Sequence, residues 1–268
     1  MEKKYEYERR KIVKNLLLIL FILVSLNLFL LLLNEIKDKK NITEENIYQE
    51  NIIFDTKTKF FSDDNSILVE LKVPAVDSEG KGVPTILSVE AKKGTGKTLV
   101  DIENLLFWAD TQQSIRMARY VASSISNKNV SQYDLIFSVK VKNASIIGGP
   151  SAGAAITIAT IFALNGEKPR EDVIITGTIN HDGSIGPISD ILEKAKAAKE
   201  SNARIFLVPL SQSFDFIPET KEHCQTFGTT KICTTETKIK KVNVSKELGL
   251  TIIEVENITE ALRYFKEK

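Results

Sequence analysis

The chain has 268 residues, with 36 Lys and Arg against 35 Asp and Glu, so its formal net charge is +1. This balance gives no overall attraction to nucleic acid, and no nucleic-acid-binding motif is present, so nucleic acid is excluded as an expected partner. Hydrophobic residues make up 43% of the sequence, which is enough for the core of one or two domains. Two cysteines and two histidines are too few for a well-spaced zinc site, so we expect neither a metal nor a cofactor.

Residues 15–34 form the most apolar segment of the chain. Positions 16–33 read LLLILFILVSLNLFLLLL, in which Ser25 and Asn27 are the only polar residues. A run of this length matches the hydrocarbon thickness of a bilayer, and no signal-peptide cleavage motif follows it. The sequence therefore predicts a retained transmembrane signal anchor over 15–34 rather than a buried core helix.

Positive charge is distributed unevenly around this anchor. Six Lys and Arg residues lie in the tail at 1–14, whereas three lysines lie at 37–40. The positive-inside rule places the tail in the cytoplasm. We expect a single-pass protein of the cell membrane, with a linker or stalk at 35–62 and an extracytoplasmic domain at 63–268.

Strand and helix patterns alternate over 63–268, which predicts one mixed α+β domain with α/β-like stretches. Ser189 is expected to cap a helix there. The region 211–245 lacks periodicity and holds Cys224 and Cys233, so we interpret it as an insertion or surface hairpin in which the two cysteines could form a disulfide. The predicted strands are at 67–73, 83–92, 99–102, 135–141, 173–176, 205–208 and 252–255, and the predicted helices are at 110–125, 152–164, 190–202 and 259–266.

The segment 93–98, KGTGKT, partly matches a phosphate-binding loop. The full pattern needs a glycine where Ala91 stands, and it leads into a helix, whereas 99–102 has a strand pattern. We therefore predict a hairpin turn at 93–97 and no nucleotide binding.

The segment 148–153, GGPSAG, is the most informative part of the sequence. It precedes the apolar helix predicted at 152–164 and places Ser151 where the positive end of that helix can stabilise an oxyanion. The alternative is that Ser151 simply caps the helix in a glycine-rich turn. Both interpretations stay open on local chemistry alone.

A serine nucleophile needs a general base. Gly149-x-Ser151-x-Gly153 also fits a nucleophile elbow, whose base would be His181 or His223. A buried lysine can act instead if burial keeps its amine neutral. Lys194 and Lys199 both fall near the apolar face of the helix predicted at 190–202, and periodicity does not choose between them.

Residues 65–210 resemble the proteolytic domain of the Lon family. The resemblance includes the order of the motifs and the 43-residue separation of Ser151 from Lys194. The matching stretches are 83–91 (VPTILSVEA), 149–153 (GPSAG), 176–179 (TGTI), 183–188 (GSIGPI) and 192–194 (LEK).

This resemblance implies a serine peptidase with a Ser-Lys dyad. Ser151 would be the nucleophile, Lys194 rather than Lys199 the general base, and Thr176 a residue that helps to orient the lysine. Two positions depart from the family's pattern: Gly148 stands where many members have an acidic residue, and Thr178 replaces the usual glutamate. Neither departure removes the dyad.

Lon proteins carry an ATPase module before this domain, and the linker at 35–62 is too short for one. We therefore expect an ATP-independent endopeptidase that cleaves peptides or unfolded proteins, or one that depends on a separate ATPase or adaptor. The family analogy also suggests a homo-oligomer. Two alternatives remain, which are an inactive Lon-like module that binds peptides or acts as a scaffold at the membrane, and an esterase-type hydrolase using Ser151 with His181.

Overall fold

The computed structural model describes residues 58–63, 65–101, 109–141, 149–227 and 230–266. The predicted tail at 1–14, the predicted anchor at 15–34 and most of the predicted linker at 35–62 lie outside these ranges. Within the described ranges, no helix is both long and apolar enough to cross a bilayer.

A five-stranded sheet with the order β1-β2-β3-β5-β4 forms the N-terminal part of the domain. Its strands are β1 (Phe60–Ser62), β2 (Ser66–Val76), β3 (Gly82–Lys93), β4 (Thr98–Val100) and β5 (Tyr133–Val141). All neighbours pair antiparallel except β4 and β5, which are parallel. β1 lies inside the predicted linker, so the folded domain begins before residue 63.

The loop at 93–97 is not the predicted hairpin turn, because β5 lies between β3 and β4. The Asp134 carboxylate accepts hydrogen bonds of 2.8 Å from the backbone N–H groups of Thr95 and Lys97. These bonds hold the loop against β5 and lower the pKa of Asp134, the Lys97 N–H having the largest effect. The N–H groups of Thr95 and Lys97 are thus bound to a carboxylate of the protein itself, so this part of the structure gives no support to phosphate binding.

A three-stranded parallel sheet with the order β12-β9-β6 forms the second half of the domain. Its strands are β6 (Val173–Ile175), β9 (Ile205–Pro209) and β12 (Thr251–Val255). Between β6 and β9 the short strands β7 (Thr178–Ile179) and β8 (Ile185–Gly186) pair with each other. The described α-helices are α1 (Ala109–Ser126), α2 (Gly153–Asn165), α3 (Ile191–Glu200), α4 (Val244–Leu248) and α5 (Ile258–Phe265).

Two hydrophobic cores lie on opposite faces of the parallel sheet, because successive strand residues point to opposite sides. Val173 and Ile175 belong to the larger core, which contains α2 and the five-stranded sheet. Ile174 belongs to the smaller core, which contains the apolar face of α3. α2 is buried along its whole length from Gly153 to Leu164, as its uniformly apolar sequence predicts. The fold is therefore a mixed α/β domain.

The region predicted as an insertion or surface hairpin forms one long β-hairpin. Its strands, β10 (Phe214–Phe227) and β11 (Thr230–Asn243), pair only with each other among the described residues. Cys224 and Cys233 are opposite each other in register and are joined by a disulfide. Glu222 lies beside them, but disulfide sulfurs are not the thiolates that bind metals.

Candidate active site

Ser151 lies in a 3₁₀ turn, Pro150–Ala152, that leads directly into α2. The turn begins after Gly149, whose φ of 116° is a conformation that favours glycine. Ala152, and not Ser151, occupies the N-cap position of α2. Within the described residues, the Ser151 hydroxyl has no hydrogen-bond partner. The hydroxyl is therefore not used to cap the helix, and it lies close to the positive end of α2.

The end of β6 fixes the backbone of Ser151. The Ser151 carbonyl accepts a hydrogen bond of 2.9 Å from the Gly177 N–H and one of 3.2 Å from the Thr176 hydroxyl. The Gly177 carbonyl in turn accepts the Ala154 N–H at 3.0 Å. Thr176, which is 1% exposed, thus contacts the serine backbone. The orientation of Lys194 by Thr176 remains a prediction, since no hydrogen bond joins the two in the part of the chain that the structure describes.

Lys194 is a buried lysine on the first turns of α3, with 4% of its surface exposed. Its Nζ donates a hydrogen bond of 3.0 Å to the Ser189 carbonyl. Burial lowers the pKa of the amine from its ordinary value of 10.5 to about 8, and the negative charge of Asp190 partly opposes that change. A substantial fraction of the amine is therefore neutral at mildly alkaline pH, and a neutral amine can accept a proton.

Ser151 and Lys194 line the same cavity, which has a volume of about 690 Å³. Its walls are largely apolar and include residues of β2 and β3, such as Val73 and Leu87, together with Ile156 of α2. No hydrogen bond joins the Ser151 hydroxyl to the Lys194 amine among the described residues. Catalytic hydrogen bonds often shorten only when substrate binds. The arrangement can support nucleophilic acyl transfer, with the amine as the base and the start of α2 beside the reacting carbonyl.

The rival bases lie elsewhere. Lys199 is exposed on α3 and donates its Nζ to the Leu248 carbonyl at 2.7 Å. His181 is exposed and lines a different cavity, together with Glu256 and Arg263. His223 is exposed on β10. Of the four candidate bases, Lys194 alone lines the cavity of Ser151.

The model of the Lon protease (S16) C-terminal proteolytic domain matches residues 84–239, more than half of the 268-residue chain. This chain belongs to that family. Its Lon-type proteolytic domain supports a serine peptidase, which is the reaction class that the resemblance implied.

Named relatives agree with this assignment. The chain is 30% identical to the Lon protease of Desulfovibrio desulfuricans over 142 residues, which is 51% of this chain and 16% of the relative. It is 29% identical to the Lon protease of Phenylobacterium zucineum over 160 residues, or 57% of this chain and 20% of the relative. Against the Lon protease of Orientia tsutsugamushi it is 27% identical over 193 residues, or 68% of this chain and 24% of the relative. The chain thus spans a quarter or less of the length of these relatives.

The start of α3 in this Lon-type domain differs from the sequence prediction. The N-cap residue of α3 is Asp190, whose backbone has a left-handed conformation. The prediction that Ser189 caps this helix is therefore wrong. Instead, the Ser189 hydroxyl donates to the Asp190 carboxylate at 2.6 Å, and the Ser189 carbonyl binds Lys194. An aspartate just before an apolar helical stripe is itself a cap signal and would have moved the helix start to Ile191.

The two departures from the family's pattern fall at different places. Thr178, which replaces the usual glutamate, lines the cavity of Ser151. Gly148 lies outside the described residues. The change at Thr178 leaves Asp190 as the only carboxylate among the described residues that line this cavity.

Proposed function

We propose that this chain is a membrane-anchored, ATP-independent serine endopeptidase that cleaves peptides or unfolded proteins with a Ser151–Lys194 dyad. The observation that carries the proposal is the buried Lys194 amine in the cavity of Ser151. An unpaired cation would be costly there, so burial favours the neutral form that a general base requires.

Acylation begins when the neutral Lys194 amine takes the proton of the Ser151 hydroxyl. The serine oxygen attacks the carbonyl carbon of the scissile peptide bond, and the negative charge that develops on the carbonyl oxygen is stabilised by the positive end of α2. The C–N bond then breaks as the protonated lysine gives its proton to the leaving amine. The products of this step are an acyl-serine and a free amino terminus.

Deacylation repeats the proton transfers with water in place of the serine. The neutral lysine takes a proton from water, and the resulting hydroxide attacks the acyl-serine carbonyl. The ester bond breaks, the serine oxygen regains a proton from the lysine, and the carboxylic acid product leaves and releases its proton to solvent. The hydrogen bonds that Thr176 and Gly177 donate to the Ser151 carbonyl hold the nucleophile's backbone in place throughout both steps.

Membrane anchoring and ATP independence rest on the sequence. The apolar run at 15–34 has the length and composition of a spanning helix. Between that run and β1, which begins at Phe60, the chain has no room for an ATPase module. The proposed partners are therefore polypeptide substrates and the bilayer, with self-assembly and a separate ATPase or adaptor as further proposals.

The proposal is tested with the full chain in detergent, incubated with casein with and without ATP. We expect cleavage of casein at equal rates in both conditions, and a serine-directed sulfonyl fluoride should label Ser151. Ser151→Ala should abolish cleavage and labelling, whereas Ser184→Ala, a serine of the other cavity, should retain both. Cleavage only with ATP would contradict the independence from nucleotide.

The absence of a Ser151–Lys194 hydrogen bond among the described residues favours one alternative, an inactive module that binds peptides or acts as a scaffold. Casein that binds without being cleaved, together with no labelling of Ser151, would establish that alternative. The esterase alternative predicts that His181→Ala is inactive and Lys194→Ala is active, which is the reverse of the expected result.

The proposed topology has a separate test. If the domain is extracytoplasmic, added protease should digest it on intact cells and leave it protected in inverted vesicles. The opposite pattern would place the domain in the cytoplasm without affecting the dyad.

A further inference from the structure

The Asp190 carboxylate is the one negatively charged side chain that lines the cavity of Ser151 among the described residues. Within the described part of the chain, the only other charged side chain of that lining is Lys194. Asp190 is exposed, whereas Lys194 is buried, so the carboxylate lies nearer to solvent than the amine. A substrate entering from solvent therefore reaches this negative charge close to the catalytic lysine.

The side chain of Asp190 is not used to stabilise the helix that it precedes. It occupies the N-cap position of α3, yet it makes no side-chain capping hydrogen bond. Its backbone has φ 58° and ψ 43°, a left-handed conformation that is unfavourable for most residues other than glycine. The Ser189 hydroxyl donates to one carboxylate oxygen, Oδ2, at 2.6 Å. The carboxylate keeps further acceptor capacity for a group in the cavity.

The charge of Asp190 also works against the proposed base. It raises the pKa of Lys194, in opposition to burial, and so favours the protonated amine that cannot accept a proton from serine. A carboxylate at this place is thus unfavourable for the proton transfer itself. An advantage in substrate binding would account for its presence.

The walls of the cavity indicate the kind of substrate group that would use this carboxylate. Val73, Leu87 and Ile156 provide apolar surface, against which a long aliphatic side chain can pack. An arginine or lysine side chain combines such a stem with a cationic end, and a carboxylate binds that end with charge-assisted hydrogen bonds.

We propose that Asp190 is a specificity residue that selects substrates with arginine or lysine next to the scissile bond. The inference rests on the proposed peptidase function, and it assigns a substrate preference to the same cavity. Asp190 lines the same cavity as Ser151 and Lys194, so the selected side chain would bind near the scissile bond rather than at a distant subsite.

The test compares pairs of internally quenched peptides that carry either arginine or citrulline, an uncharged analogue of similar shape, on one side of the scissile bond or the other. The full chain should cleave an arginine peptide with a kcat/KM about tenfold or more above its citrulline partner. Asp190→Asn should bring this ratio close to one, since asparagine tolerates the left-handed backbone but lacks the charge. Asp190→Gly, which removes the backbone strain, serves as a second variant if the asparagine variant does not fold.

The ratio separates substrate selection from an effect on the base, because both peptides of a pair meet the same Lys194 amine. Glu193→Gln is the matched control: Glu193 is a neighbouring carboxylate on α3 that pairs with Lys196 and does not line the cavity, so the ratio should be unchanged. A wild-type ratio near one, or an Asp190→Asn variant that slows both peptides equally, would overturn the inference while leaving the peptidase intact. Failure of the wild-type chain to cleave any peptide would instead overturn the proposed function.

Discussion

The cavity of Ser151 is stabilised by burial, whereas the exposed β10–β11 hairpin is stabilised by a disulfide. Lys194 and Thr176 in the cavity are 4% and 1% exposed, and their contacts depend on burial between helices and sheets. On the hairpin, Phe216 is 63% and Ile239 76% exposed, and a disulfide closes the strand pair. An isolated two-stranded ribbon is only marginally stable in water. The proposed reactivity of this domain thus depends on exclusion of water, whereas the hairpin depends on a covalent bond.

The sharpest test of this comparison uses two lysines of one helix. Lys194→Met should lower kcat/KM by about 10²- to 10⁴-fold, because it removes the proposed general base. Lys199→Met should leave activity unchanged, because Lys199 is exposed and binds the Leu248 carbonyl. Hydrolysis of a quenched peptide measures both variants. Equal activities of the two variants would contradict the proposal that the buried lysine, and not the exposed one, is the base.

The pH dependence of the reaction is expected to report the buried amine. In the proposed mechanism the active form of Lys194 is neutral, so kcat/KM should rise about tenfold per pH unit below pH 8 and level off above the pKa of about 8. An inflection between pH 6 and 7 would instead point to a histidine base. Initial rates between pH 5.5 and 9.5 at constant ionic strength measure the profile.

Burial of Lys194 should also reduce the stability of the domain. The folded pKa of about 8 lies below the ordinary value of 10.5, so the unfolded chain binds more protons between these values. Stability attributable to this group is therefore lowest below pH 8 and recovers as pH rises towards 10.5. Lys194→Met should increase the free energy of unfolding at pH 7 by about 3 kcal/mol, which corresponds to that pKa difference.

Urea denaturation of Lys194→Met and of wild type at pH 7 and pH 10 measures this effect. The difference in unfolding free energy between them should shrink at the higher pH. A difference that does not depend on pH would show that packing, and not the charge, is responsible.

The smallest effect on catalysis is expected at the hairpin. Replacing Cys224 and Cys233 together by serine should leave kcat/KM within about twofold of wild type, because neither residue lines the cavity. The open hairpin should instead be cut faster by trypsin at its exposed lysines, such as Lys231 and Lys238. Peptide mapping after limited digestion locates the cuts. A large loss of activity would show that the disulfide of the hairpin affects catalysis in the cavity.

The sequence was most informative where local pattern and tertiary environment agree. α2 is predicted to within about a residue because its apolar run is buried on every side. The loop at 93–97 was predicted wrongly, because the neighbour of β3 is β5, a strand much later in the chain, and local turn signals cannot reveal that pairing.

The candidate site shows the same limit. Periodicity placed Lys194 and Lys199 at the edges of one helical stripe and could not choose between them. The choice depends on which edge faces the cavity, which is a property of how α3 packs against the rest of the domain. Family resemblance chose Lys194, which lines the cavity of Ser151, and its role as the base remains a prediction. The left-handed Asp190 was not foreseen, because the cap was assigned to the serine one residue earlier.

The two hydrophobic cores have a mechanical consequence for the proposed dyad. α2, which follows Ser151, packs in the larger core, and the apolar face of α3, the helix that carries Lys194, packs in the smaller one. Both helices also pack against β2 and β3, so the positions of these two strands set the separation between the hydroxyl and the amine.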